Sequence, residues 1–227
     1  MTRRRLVALV PMRDESERVP GKNYRSFAGA PLYHRIVRTL LECPAIDEVV
    51  IDTDSERIAS DSARTFPAVR LIKRPFNLRG GEVPMNEVLL NDVEQIESDL
   101  YLQTHSTNPL LRPATLTRAI AAFLAQGAQF DSMFSVTRLH TRIWDAAGTP
   151  LNHDVNVLLR TQNLPPIFEE NSCFYVFSGV GLRRRRNRIG ERPLMFEIDA
   201  EEAWDIDEEL DFEVAEYLCL RRGKGER

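Results

Sequence analysis

Cysteine is scarce in this chain. There are three, Cys43, Cys173 and Cys219, an odd number without regular spacing. That argues against a disulfide framework and a structural zinc site, and leaves ordinary cytosolic thiols. No apolar run approaches the ~20 residues that a membrane span needs, so no membrane partner is expected. The net charge of −4 provides no global basic surface, which argues against a nucleic-acid partner. The basic start, Met1 to Arg5, precedes an apolar run that stops at Pro11 and Arg13. That run is too short for a secretory signal and lacks a small-residue cleavage site, so a cytoplasmic protein is expected. No linker divides the chain and no internal repeat is visible. What is present, 227 residues with 28% charged and 43% hydrophobic, suits a single α/β domain spanning 1–227 with a sizeable core.

Strand and helix patterns alternate through the first half. Leu6 to Val10 reads as a buried strand, Leu32 to Leu41 as a helix and Glu48 to Ile51 as a second strand. Ser55 to Phe66 is a helix with Ser55 as its cap, and Val69 to Ile72 a third strand. This βαβ alternation predicts a parallel sheet. Lys73 to Pro84 is a Gly-, Pro- and Arg-rich loop, followed by a helix to Ile96 and a strand from Asp99 to Leu102. Pro113 opens a helix to Gln126, and Asp131 to Val136 is a fifth strand. From Thr137 to Phe177 the pattern is irregular, as in an insertion that leaves the main sheet. Leu194 to Ile198 and Ala203 to Ile206 read as short strands, Asp207 to Leu220 as a closing helix, and Gly223 to Arg227 as a frayed tail.

Two stretches carry most of the chemistry. After the first strand, a loop sets Arg13, Arg18 and Lys22 within ten positions, with Pro20-Gly21 forcing a turn. Cations at the carboxyl end of a first strand suit a polyanion such as a nucleoside triphosphate. Because Asp14, Glu15 and Glu17 lie among them, a solvated mixed-charge loop is the plain alternative. The second stretch is Trp204 to Asp211. If Asp205 and Asp207 lie on a strand they share a face, and two hard oxygen ligands suit Mg²⁺ with bridging phosphate oxygens. The alternative makes Asp207 a helix cap and Asp205 a solvated acid. The four-arginine run Arg183 to Arg186 has no interleaved aromatics and reads as a solvated face.

These stretches resemble the cytidylyltransferases that activate acidic sugars. The acylneuraminate branch reads Pro-Ala-Arg-x-x-Ser-Lys-x-Ile/Leu-Pro-x-Lys-Asn in its first loop. Here Arg13, Ser16, Pro20, Lys22 and Asn23 match, Glu17 reverses the usual lysine, and Arg18 follows as in the 3-deoxy-octulosonate branch. The family's closing Asp-Ile-Asp segment is matched at Asp205-Ile206-Asp207, and its Arg-Pro at Arg74-Pro75. Its Asp-Thr-Ala-Ser-Ser turn is replaced by Gly81 to Met85 and Asn86, without serines. In the Gln103 to Arg112 segment, His105 stands where the family has a sugar-contacting glutamine. Arg160-Thr-Gln162 through Asn171 to Tyr175 is similar to the family's sugar-side segment, with Ser172 in place of glycine.

The resemblance implies a Rossmann-like, nucleotide-diphospho-sugar transferase fold of the α/β class. Its sheet would be mostly parallel, with a projecting dimerisation arm at about 137–177. It implies a homodimer that joins CMP from CTP to an acidic keto-sugar and releases pyrophosphate. It assigns Arg13, Lys22 and Arg160 to catalysis and Arg13, Arg18, Lys22, Asn23, Arg74 and Asn86 to the nucleotide. His105, Arg160, Gln162 and Asn171 fall to the sugar, and Asp205 and Asp207 to Mg²⁺. From the residues alone His105 is open between substrate contact and a loop-stabilising hydrogen bond, and Asn86 between a polar contact and a helix cap. Two rivals are a glycosyltransferase using Asp52 and Asp54 as its metal pair, and a nucleotide-binding relative without turnover.

Overall fold

The computed structural model describes residues 3–225. Among the described residues nine strands and six α-helices carry the fold: β1 (Leu6–Met12), β2 (Ser26–Phe27), β3 (Ala30–Pro31), α1 (Tyr33–Leu41), β4 (Glu48–Thr53), α2 (Glu56–Thr65), β5 (Arg70–Lys73), α3 (Met85–Gln95), β6 (Leu100–Thr104), α4 (Pro113–Ala125), β7 (Ser132–Leu139), β8 (Ile167–Phe177), α5 (Gly179–Arg185), β9 (Pro193–Glu197) and α6 (Glu209–Gly225). Seven strands form one sheet in the order β5-β4-β1-β6-β8-β7-β9. Strands β5, β4, β1 and β6 pair in parallel, as do β7 and β9, whereas β8 is antiparallel to both its neighbours. The mostly parallel α/β sheet matches the expectation.

Every residue of the central strand β1 is buried, because helices cover both faces of the sheet. One core side gathers Ala8, Val10, Ile36, Leu102 and Leu116, the other Val7, Leu9, Leu89, Val93 and Tyr101. A third cluster joins Val19 of the first loop to Phe27, Leu110, Ile206 and Phe212. It clamps the first loop against the segment that carries the paired aspartates, about 190 positions later in the chain. Phe27 meets the Phe212 ring edge-on at 5.4 Å, and Arg25 lies over Phe212 while donating to Glu209 at 2.6 Å.

Several boundaries differ from the sequence reading. Ser55 caps α2 as expected, its Oγ accepting from Ile58 N. The 137–177 stretch is more regular than its composition implies: β7 continues to Leu139, β8 fills 167–177, and only 140–166 leaves the sheet. The regular part was obscured by β8's mixed sequence, whose buried half packs inside while Glu169 and Glu170 lie outside. Ala203 to Ile206 is a turn and coil, so Asp205 and Asp207 are not strand neighbours. The closing helix starts at Glu209. The Asp211 carboxylate accepts from Asp207 N and Glu208 N, so Asp211 satisfies that end and the Asp207 side chain is free of capping duty. Helix α6 continues to Gly225, where a frayed tail was expected; residues 226–227 lie outside the described residues.

Candidate active site

The first loop leaves the carboxyl end of β1 and turns at Gly21, where φ is +66° and an added Cβ would meet the Tyr24 ring at 2.9 Å. The following 3-10 turn, Lys22–Tyr24, buries Lys22, whose Nζ donates to the Ile206 carbonyl at 2.6 Å. The Lys22 ammonium therefore sits between the two aspartates. Burial lowers its pKa, and Asp205 and Asp207 oppose that shift. Asn23 donates to the Arg13 carbonyl at 3.0 Å and accepts from Ser106 Oγ at 2.6 Å, tying the loop to the end of β6. Arg18 crosses the mouth of the site and ion-pairs with Asp207.

These groups line a cleft of about 650 Å³. Of the expected residues, Arg13, Arg18, Lys22, Asn23, Arg74, His105, Asp205 and Asp207 face it together. The glycine-rich loop closes one side. A Cβ on Gly81 would stand 3.1 Å from Arg13 Nη1 and from Glu17 Oε1, so the missing side chain allows that approach. Four cations and five carboxylates (Glu15, Glu17, Glu82, Asp205, Asp207) line the cleft. Protein cations alone do not outweigh that acid set, so a further cation would favour a bound triphosphate.

The donor set suits a divalent ion. Among the described residues Asp205 Oδ1 is buried without a hydrogen-bond partner, and burial raises the Asp205 pKa. A buried, unpartnered carboxylate oxygen beside a second carboxylate suits a hard cation. No group of three or more His, Cys, Asp or Glu among the described residues forms a metal cluster, so ligand oxygens would have to complete the shell.

Arg74 forms the floor, 2% exposed, its Nε donating to the Asp52 carboxylate at 3.2 Å and Nη2 to the Asp52 carbonyl. Behind it lies Asp92, whose carboxyl hydrogen-bonds that of Asp52; burial and the Asp52 charge push Asp92 up to about 8. Two buried carboxyls in contact share one proton; burial raises Asp52 as well, but the Arg74 guanidinium opposes that rise, so the proton favours Asp92. Asp52 is thereby spent on Arg74, and Asp54 Oδ1 accepts from Asp14 N. Neither lines the cleft, which removes the Asp52–Asp54 metal pair of the glycosyltransferase reading.

Four expected residues lie elsewhere. Asn86 neither faces the cleft nor caps α3; its Oδ1 accepts from Arg188 N at 3.2 Å. Asn171 is buried in sheet packing, accepting from Ser135 Oγ and Cys173 N and donating to Thr137. It pins the irregularity between Phe134 and Val136, and the neighbouring Ser172, at φ +59°, faces the cleft instead. Arg160 and Gln162 are exposed in the 140–166 segment and do not reach the cleft of their own chain. In the arginine run, Arg184, Arg185 and Arg186 pair with Glu191 and Glu87 on the surface, as its composition implied, while Arg183 donates to the Val93 carbonyl. Sequence reasoning missed Ser106, Thr107 and Ser172, polar residues without a distinguishing pattern. It also missed Arg188, hidden just past the arginine run. The three cysteines are buried and unpaired.

The family pattern described as cytidylyltransferase matches residues 7–223. The chain is 29% identical to an N-acylneuraminate cytidylyltransferase A of Danio rerio, over 97% of this chain and 52% of that protein. It is 26% identical to a CMP-N,N'-diacetyllegionaminic acid synthase of Legionella pneumophila, over 94% of this chain and 96% of that protein. The chain thus spans about half the length of the Danio rerio relative and nearly all of the Legionella one. Among solved structures, a CMP:2-keto-3-deoxy-manno-octonic acid synthetase complexed with CTP superposes with a TM-score of 0.68 at 14% identity, over 96% of this chain and 99% of that one. The chain belongs to the cytidylyltransferase family.

Proposed function

We propose that this protein transfers CMP from CTP to an acidic keto-sugar of the acylneuraminate type and releases pyrophosphate. The observation that carries the reading is the single cleft in which Arg13 and Lys22 face Asp205 and Asp207. The anomeric hydroxyl of the sugar attacks the α-phosphorus. A bond forms from that oxygen to phosphorus, the bond from phosphorus to the bridging β-oxygen breaks, the hydroxyl proton passes to solvent water and pyrophosphate departs. Arg13, Arg18 and Lys22 offset charge on the phosphates, Asn23 and Arg74 border the nucleoside, and the protein works chiefly by positioning. Asp205 and Asp207 would hold Mg²⁺, which supplies Lewis-acid neutralisation of phosphate charge when bound.

His105 and Ser172 line the sugar end of the cleft in this reading. Arg160 enters it from a second copy. Support comes from the 140–166 segment, where Trp144, Leu151, Val155, Val157, Leu158 and Leu159 expose between 42% and 92% of their surface. Such a run of exposed apolar side chains needs a cover, and a homodimer supplies it. Three buried, unpaired thiols fit a reducing cytoplasm, and no helix of the described residues is long and apolar enough to cross a membrane. The test is pyrophosphate release from CTP with a panel of acidic keto-sugars and neutral hexoses, with and without Mg²⁺. Release only with an acidic sugar supports the reading; none with any of them refutes it.

A further inference from the structure

Arg188 lies behind the cleft in a place that its surface neighbours do not share. Its guanidinium sits 3.5 Å from the centroid of the Tyr175 ring, and Nη1 donates to Gln103 Oε1 at 2.5 Å. No carboxylate of the described residues lies within ion-pair distance of it. Its backbone N–H is held by Asn86, so the side chain starts from a fixed point. Gln103 is 0% exposed at the end of β6, and its Nε2 lies 3.0 Å from the Thr104 carbonyl and 3.0 Å from His105 Nε2.

The donor rules leave one arrangement. A guanidinium only donates, so the Gln103 atom facing Arg188 is the oxygen and the amide cannot flip. The other end is then NH₂, which also only donates, so His105 Nε2 accepts. The imidazole is neutral, with its proton on Nδ1. Nδ1 has no partner among the described residues and is not sealed off, and His105 lines the cleft. Burial and the cations Arg188 and Lys22 also push the His105 pKa down to about 4, in keeping with a neutral ring.

Resting on the sugar-site reading above, we propose that Arg188 is a positioning residue. Through Gln103 it locks His105 as a neutral Nδ1–H donor aimed at the acidic sugar. A neutral donor recognises a hydroxyl or carbonyl of the sugar and leaves carboxylate pairing to an arginine. Without Arg188 only the Thr104 carbonyl still holds the Gln103 amide, so its orientation loosens and part of the population presents His105 as an acceptor at Nδ1 rather than a donor.

The test combines histidine ¹⁵N NMR with steady-state kinetics on the full chain. There are four histidines, and His105→Asn assigns the relevant signals. Wild type should show His105 protonated at Nδ1 only. Arg188→Met should give mixed tautomers and raise the sugar KM by about tenfold, the scale of one lost hydrogen bond to substrate, with the KM for CTP within about twofold. Gln103→Glu keeps the shape but can only accept, so His105 should become protonated at Nε2; this second variant serves if Arg188→Met does not fold. A wild-type ring protonated at Nε2, a tautomer unchanged in both variants, or an unchanged sugar KM overturns the proposal while leaving turnover, and hence the functional reading, in place. The predicted tautomers without turnover of any acidic keto-sugar overturn the functional reading, and with it the role of His105 as a sugar donor.

Discussion

Asp92→Asn should flatten the alkaline loss of stability. In the folded protein Asp92 holds a proton up to about pH 8, since it is buried against the Asp52 carboxylate. In the unfolded chain it releases that proton near an ordinary aspartate value of about 3.9. Between those limits the native state binds one more proton than the unfolded state, so unfolding free energy falls as pH rises, by at most about 1.4 kcal/mol per pH unit. The contribution is complete below about pH 4 and is lost as pH rises through about 8. From about pH 5 to about pH 8 the ceiling is a few kcal/mol, a sizeable part of the roughly 5–15 kcal/mol that holds a domain together. Asparagine keeps the shape and an N–H donor for Asp52 but cannot ionise, so near pH 5 the variant should lie within about 1 kcal/mol of wild type. Thermal and urea unfolding across this range should show the variant overtaking wild type, by up to roughly 10 °C in Tm near pH 8. Parallel curves for the two proteins would show that Asp92 carries no such proton and would sink the description of the Arg74–Asp52–Asp92 floor.

Asp207→Ala should cut pyrophosphate release by at least ~10²-fold, the scale of losing a charge-stabilising group. Because Asp211 satisfies the start of α6, thermal stability should hardly change, and full activity in the folded variant would remove Asp207 from the metal site. Arg18→Ala should weaken CTP binding in titration calorimetry with Mg²⁺, whereas Glu17→Ala should leave it unchanged or tighter; unchanged affinity in Arg18→Ala defeats the phosphate role. Leu158, 92% exposed, should hold the dimer, so Leu158→Asp should give a monomer by light scattering, and a dimer of unchanged affinity contradicts the arm. Mixing inactive Lys22→Ala chains with Arg160→Ala chains should restore part of the activity if Arg160 serves a partner's cleft, and no recovery removes it from the sugar site.

The parallel half of the sheet was legible because βαβ units write their order locally: a five-residue apolar run, a capped stripe, another run. The first loop was legible for the same reason, since Arg13, Arg18 and Lys22 are close in sequence as well as in space. The join between that loop and Asp205–Asp207 rests on Val19 and Ile206 packing together, a contact that no periodicity announces; the family resemblance supplied it. The antiparallel strand β8 escaped because its hydrogen-bonding partners lie far away and its exposed end reads as polar loop. Asn171 looked like a ligand by motif, yet its three hydrogen bonds are spent on the sheet. Arg188 escaped for the opposite reason. Its neighbours are solvated, and its own burial follows from Tyr175 and Gln103, which approach it only in the folded chain.

The central claim is that the α-phosphate of CTP moves onto the sugar. CTP radiolabelled on the α-phosphate, incubated with Mg²⁺ and an acylneuraminate, tests it directly. The account predicts label in a CMP-sugar adduct and an equal amount of unlabelled pyrophosphate, with neither formed by Asp205→Asn. Label that stays in CTP, or that appears only as free CMP, would contradict it.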